Sequence, residues 1–447
     1  MKLLSALLFA GLTGTAAAQP SAPAPAPAPA PAPPAAAAPA TPAAAAAAPE
    51  VLTLERAIEI AMRQQPSLRQ SRAQLEAAQG RVDLAKVGTR PTINLDASVG
   101  TGSTSVVSGT GATAARNAEF FSHAESTGLG ASASWRLYDF GQSAANLRAA
   151  ELNAEASAAS IGTAELDVRT NVETSYLEAV ARRRLVQVAE STVKSEDTHL
   201  DQARRFVAAQ AKDPIEVAQA QSRDANARSA LAQAQSNEAI SLANLRSAIG
   251  WVDPANAPTV STTWPNPAET DPAPLVQLVD SARKHRPEIV QLDKEVEASE
   301  ASLAASRAER RPVLSANAQT QWSPGTGNWN PEPSWSAGLS LTWSLYDGGR
   351  SAADTRIAQA NVTGAAAARD ALLVALTSQL DSARSQIVAN RANVQASTEA
   401  VAAARAQLKL ADARYAQGLG SQIELADAQT AVTTAEGNLV QAEFQLA

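Results

Sequence analysis

The chain has 447 residues, no cysteine and a formal net charge of −7 at pH 7. This excludes a disulfide framework, a thiolate metal site, a cysteine nucleophile and a lipidated cysteine. The acidic balance argues against nucleic acid, whose phosphates require a basic face.

In chain order, Lys2 precedes an apolar stretch from Leu3 to Leu12, and Ala16, Ala17 and Ala18 stand before Gln19. A charged start, a short apolar centre and small residues at a cleavage site predict a signal peptide over 1–18. Residues 19–50 are almost wholly proline and alanine. Proline removes backbone donors and fixes φ, so the pattern predicts an extended, disordered spacer. Past the signal region no run approaches the ~18 apolar residues of a membrane helix, so a bilayer crossing has to use strands.

A first structural repeat is predicted over 51–250. A helix over 67–88 begins after Pro66, and Arg90-Pro91 breaks it. Strands at 92–100 and 128–138 come next, separated by a loop rich in glycine and serine. After Leu137-Tyr138-Asp139-Phe140-Gly141 a very long helix covers 141–211 and a second covers 215–249. The proline-rich residues 251–274 form an equatorial linker. The second repeat, 275–447, brings a helix over 287–310, strands at 313–322 and 334–345, and helices at 350–416 and 422–446.

The two halves are copies. Trp135-Arg136-Leu137-Tyr138-Asp139 returns as Trp343-Ser344-Leu345-Tyr346-Asp347, an offset of 208. Ile215-Glu216-Val217-Ala218 returns as Ile423-Glu424-Leu425-Ala426 at the same offset, whereas Arg90-Pro91 returns as Arg311-Pro312 at 221. The first copy therefore carries 13 extra residues between its two strands. A unit this long is a duplicated half, not a solenoid repeat.

All four strands alternate. Ile93, Leu95, Ala97 and Val99 oppose Thr92, Asn94, Asp96 and Ser98, and Leu339, Leu341 and Trp343 oppose Ser340, Thr342 and Ser344. Period-two alternation over roughly 9–11 residues suits a strand with lipid on one side and water on the other. Trp135, Trp322, Trp335 and Trp343 stand toward strand ends, the place of an interfacial aromatic girdle. A soluble half-buried sheet alternates in the same way; four matched strands in a secreted chain favour the membrane. Four strands cannot close a barrel, and open edges are not tolerated in lipid, so closure requires several chains.

From Leu373 the second long helix keeps a heptad through Leu376, Leu380, Ala383, Ile387, Asn390, Val394, Ser397, Val401, Ala404, Leu408, Ala411 and Tyr415, apolar at all but Asn390 and Ser397. That spacing means coiled-coil packing. The three histidines, His123, His199 and His285, are far apart and expected at the surface, and no HExxH, phosphate loop or GxSxG motif occurs. No enzyme activity, cofactor or metal is expected.

The paired halves, the Arg-Pro before each first strand and the Leu-Tyr-Asp-x-Gly lead into each long helix resemble the TolC-type outer-membrane efflux and secretion channels, from residue 51 to the end. The resemblance implies a mainly α fold with a β-barrel membrane part. Long antiparallel coiled-coil helices and two β-hairpins per chain would assemble as a homotrimer, with a 12-stranded barrel on an α-helical barrel. It further implies the outer membrane of a Gram-negative bacterium, contact with outer-membrane lipid, and passive export of small molecules or of type I secretion substrates. The partners would be a periplasmic adaptor and an inner-membrane transporter. Glu424 and Asp427 match the family's acidic constriction positions and share a helix face at i, i+3; an ordinary solvated face fits the same spacing. Tyr415 and Glu216 match contacts that close the periplasmic tip. The chain departs at Gly420, where the family's tip lock has an arginine, and at Ala209 to Pro214, which lacks the usual glycine. A periplasmic coiled-coil adaptor is the competing reading, but the lipoyl-like and small β-barrel segments of an adaptor are not found.

Overall fold

Proline and glycine punctuation divides the chain, and the computed structural model follows it. It describes residues 51–106, 120–252, 259–261, 263–264, 272–324 and 331–447. The expected signal peptide (1–18) and spacer (19–50) lie outside the described residues.

The first half runs β1 (Val51–Leu52), α1 (Leu54–Gln64), α2 (Pro66–Val87), β2 (Thr92–Val106), β3 (Phe120–Tyr138), α3 (Gln142–Ala208) and α4 (Ile215–Ile249). The second runs β4 (Thr259–Val260), α5 (Leu275–His285), α6 (Pro287–Ala308), β5 (Val313–Pro324), β6 (Pro331–Thr342), α7 (Arg350–Ala416) and α8 (Gln422–Leu446). The duplication holds to the residue in three helix pairs: α1 and α5 have 11 residues each, α2 and α6 have 22, α3 and α7 have 67. At 1.5 Å per residue each long helix spans ~100 Å.

Local chemistry sets these boundaries. Pro66 and Pro287 occupy the first helical turn, where the missing N–H costs nothing, and hold the preceding residue extended. Each long helix starts from an aspartate. Asp139 accepts from the Gly141 N–H at 3.2 Å and the Ser143 N–H at 2.8 Å, and Asp347 accepts from Gly349 and Ser351, both at 2.9 Å. The Ser143 and Ser351 hydroxyls donate to the same carboxylates. Gly141 and Gly349 sit at φ 96° and 91°, where a side chain would be strained.

The structure departs from the sequence reading at several places. The first hairpin is longer than expected, with β2 reaching Val106 and β3 starting at Phe120. The last strand ends at Thr342, not 345, because among the described residues none pairs with 343–345. The segment 251–274 is not only a linker. Its β4 pairs in parallel with β1 (Val51 opposite Thr259), and the Trp264 indole donates to Glu443 at 2.8 Å. Lastly, α1 and α5 lie where the sequence reading assigned no element.

The main core gathers where β1, β4, α1 and the end of α4 meet α3. Val172, Tyr176, Ala179 and Val180 of α3 pack on Leu52, Ala57, Ala61, Leu245 and Ile249. The Tyr176 hydroxyl donates to the Leu52 carbonyl at 2.9 Å and Arg183 donates to that of Val260 at 2.8 Å, so the two-stranded ribbon is tied to the helix.

The Ser351 hydroxyl, then backbone N–H groups, pull the Asp347 carboxyl down from 3.8 to about 2. A folded-state value below the unfolded one gives stability that is complete above pH ~4 and lost as pH falls through ~2. Ser351→Ala is expected to flatten that acid loss, read as a smaller drop in Tm between pH 5 and pH 2 than in the parent protein.

Candidate functional site

The four longer strands form one antiparallel sheet in the order β2-β3-β5-β6. Its register aligns the alternation of the separate strands. Ile93 pairs with Ala133, Ala133 with Ala318, and Ala318 with Ala337; one row on, Leu95, Ala131, Thr320 and Trp335 line up. One face is thus almost wholly apolar, and in the single chain it is bare: Ile93 is 79% exposed, Val99 86% and Leu339 70%. A contiguous apolar face of this kind marks an interaction or membrane surface. The other face is polar and internally bonded, with Thr92 to Ser134 at 2.9 Å and Asn317 to Ser340 at 3.1 Å. Asp96 lies there against Gly130, where a Cβ would come within 2.6 Å of its carboxylate.

The tryptophans fall at two levels. At the helix side, the Trp135 indole donates to the Thr89 carbonyl at 3.0 Å and the Trp343 indole to that of Arg310 at 3.2 Å. These are equivalent bonds in the two repeats. At the loop side, Trp322 pairs with Leu129 and Trp335 with Thr320. From Val313, level with Thr342, nine residues lead to Trp322. At ~3.4 Å each and a usual barrel tilt of ~40°, that is a height of roughly 23 Å, near the ~25 Å of a barrel's apolar band.

At the far end of the helices, the α3–α4 and α7–α8 turns interlock. Tyr415 is almost fully buried and donates its hydroxyl to Glu216 Oε2 at 3.0 Å; Phe206 meets its ring edge-on at 5.5 Å. Burial, then Glu216, pushes the Tyr415 hydroxyl up to about 12. The structure thus brings Tyr415 and Glu216 together. Sequence reasoning missed their neighbours. Lys212 Nζ donates to the Gly420 carbonyl at 3.3 Å, lies 3.5 Å from Glu216 Oε1 and sits 5.5 Å over the Tyr415 ring. Gln422 donates to the Glu216 carbonyl at 2.8 Å. A Cβ at Gly420 would stand 3.0 Å from Tyr415 N and 3.2 Å from Arg414, so this backbone leaves a side chain little room. The cation at the turn comes from Lys212 instead, the lone charge before Asp213-Pro214 and the one sequence signal that pointed to it.

Glu424 and Asp427 lie in the first turns of α8. Ser421 caps that helix by accepting from the Glu424 N–H at 3.1 Å. Arg414 holds the Glu424 carboxylate at 2.8 Å, while Asp427 is exposed. His199 corrects its surface placement: it is buried, 3.9 Å from Asp412, and burial holds its imidazole below the ordinary value. It lies beside Leu200 and Ala203, on the stretch of α3 that packs on α4, which explains its burial. His285 is exposed, and the side chain of His123 lies outside the described residues. Among the described residues no group of three His, Cys, Asp or Glu is placed to hold a metal, and no helix is long and apolar enough to cross a membrane.

Comparison with known proteins agrees with this geometry. The Protein CyaE of Bordetella pertussis is 28% identical over 386 residues, covering 85% of this chain and 78% of that protein. A membrane protein from Pseudomonas aeruginosa has the same fold, with a TM-score of 0.75 at 22% identity over 89% of this chain and 88% of that one. The outer membrane protein VceC of Vibrio cholerae superposes with a TM-score of 0.70 at 20% identity, covering 88% and 93%. The outer membrane efflux protein family matches residues 57–251 and 278–447, in both repeats. The chain belongs to that family.

Proposed function

We propose that three copies of this chain close a 12-stranded barrel in the outer membrane and a helical duct below it. The duct would give passive exit to cargo delivered by an inner-membrane transporter through a periplasmic adaptor. One observation carries the reading: a sheet with one bare apolar face and two outer strands that no further described strand flanks runs straight into helices of ~100 Å. In water such a sheet exposes apolar area; in lipid its open edges leave N–H and C=O groups without partners, each costing several kcal/mol. Closure with further copies removes both costs. A coiled-coil adaptor offers no reason for the apolar face. The transporter chooses the cargo, so small-molecule efflux and type I protein secretion both fit the duct.

In this reading Trp135 and Trp343 form the periplasmic girdle, Trp322 and Trp335 the outer one, and Tyr415, Glu216 and Lys212 latch the tip. Glu424 and Asp427 become carboxylate rings at the constriction, which attract cations. Because Arg414 neutralises part of Glu424, Asp427 carries more of the ring's charge.

Reconstituted in planar bilayers, the protein is expected to give discrete conductance steps; a monodisperse monomer without conductance would refute the duct. Glu424→Gln with Asp427→Asn should weaken cation selectivity, and Arg414→Gln should strengthen it, both read from reversal potentials in a salt gradient. Tyr415→Phe removes a hydrogen bond to a charged acceptor, a contribution of ~1.5–3 kcal/mol. It should raise the open probability on the order of tenfold or more, read from single-channel records.

A further inference from the structure

We infer that the duplication fixes the register between copies. The strand ladder of β3 with β5, and the part of the α3–α6 packing nearest the sheet, recur between β6 and α7 of one copy and β2 and α2 of the next. This rests on the closure reading above, but goes beyond it by naming the residues that meet.

The rule comes from the offsets. First-repeat β3 and α3 map onto β6 and α7 by adding 208; second-repeat β5 and α6 map back onto β2 and α2 by subtracting 221. Inside the chain, Ala131 pairs with Thr320, Ser132 with Gln319, Ala133 with Ala318 and Trp135 with Ala316. Between copies the same pairs become Leu339 with Val99, Ser340 with Ser98, Leu341 with Ala97 and Trp343 with Leu95. In these four pairs apolar meets apolar and polar meets polar; at the loop end Leu129 with Trp322 maps onto Ala337 with Thr101, where the match is not kept. A slip of one residue would set Leu341 against Asp96 and turn a strand over.

Three further observations fit the rule. The first is the early end of β6. In β3, Trp135 and Tyr138 lie past the end of the β2 ladder and pair with β5 only, with a bulge at Leu137 between them. Their counterparts Trp343 and Tyr346 have no such strand beside them; Tyr346 is 90% exposed. A second copy's β2 would supply the strand, with Asn94 opposite Ser344 and Ile93 opposite Tyr346. The second is an ion pair. Arg148 of α3 lies 4.0 Å from Glu297 of α6. The mapped residues are Arg356 and Glu76, again an arginine and a glutamate, both exposed in the single chain. The third is a backbone tie. Arg311 donates to the Phe140 carbonyl at 3.2 Å, and the mapped pair is Arg90 with the Gly348 carbonyl, with the arginine kept.

The rule has limits that the residues show: the ion pair of Lys294 with Glu155, at 3.1 Å, maps onto Ala73 and Thr363 and is not kept. Asp370 stands where Gly162 makes room for Pro287, which a Cβ would approach to 3.0 Å. There α7 and the second copy's α2 have to stand slightly farther apart. Toward the tip the chemistry is not kept: Ser195 with Gln429 becomes Ala403 with Gln221, and Thr192 with Thr433 becomes Ala400 with Ala225. The inference therefore covers the sheet and the helices next to it.

The native chain has no cysteine, so pairs can be placed at will. Facing residues of an antiparallel ladder lie ~4.5–5.5 Å apart at Cα, within disulfide range. Full-length Ser340→Cys/Ser98→Cys protein, oxidised in its membrane, should run as covalent multi-chain species on a non-reducing denaturing gel. Ser340→Cys with Asp96→Cys or with Gly100→Cys should give at most a small fraction of them. The in-chain counterpart, Ser132→Cys/Gln319→Cys, should form its disulfide within single chains. Preferential coupling to Asp96→Cys or Gly100→Cys would overturn the register and leave closure standing. No covalent species from any pair, with the in-chain bond formed and the chain monomeric, would overturn both. Failure of the in-chain bond would overturn the rule at its source. As a second readout, Arg356→Glu and Glu76→Arg should each lower the temperature at which the oligomer dissociates, and the double variant should recover it. An unchanged temperature in both single variants would remove the ion pair from the interface.

Discussion

A backbone amide in hydrocarbon has no water to bond, so every N–H and C=O of a membrane strand needs a strand beside it. Much of this architecture follows from that constraint. One chain supplies four strands of this sheet, and β2 and β6 each keep an edge that no other described strand pairs. Alternation then divides the faces, and the register keeps apolar residues in rows across four strands. The same sheet that is a liability in water becomes the wall of a barrel once copies of it close a ring.

The helices inherit their placement from the sheet. A strand must give way to a ~100 Å helix within a few residues, twice per chain, and the Asp139 and Asp347 turns do this alike. A carboxylate collects the first free N–H groups, a positive-φ glycine turns the chain, and a serine hydroxyl fixes the carboxylate. The one irregularity is Phe140, at φ 53° where the second copy has Gly348 at 66°. Its ring packs on Tyr138 at 4.7 Å, a contact that helps hold the strained residue, and Arg311 ties its carbonyl. At the other end, the tip combines a buried tyrosine, a carboxylate and a lysine contributed by different hairpins, so closing it couples the two repeats.

Much of this was legible in the sequence because punctuation and period are local. Pro66, Pro287, Gly141 and Gly349 mark the ends of long helices, and period-two alternation marks strands whatever their partners are. What was hidden depends on distance along the chain. The ribbon of β1 and β4 is two residues long on each side and joins segments some 208 residues apart, so neither strand carries a pattern of its own. Lys212 meets Gly420 across the same separation. His199 looked like a surface residue because nothing local revealed that α4 and Asp412 would cover it. The residues after β6 alternate like a strand yet are not one, because pairing is a property of the neighbour and no described strand lies beside them.

The central claim is that one chain is a third of a closed wall. Native mass spectrometry of the protein extracted from outer membranes in mild detergent tests it most directly. The account predicts a single dominant species of three chains that heat converts to one. A folded one-chain species that stays monodisperse in the same detergent would contradict it.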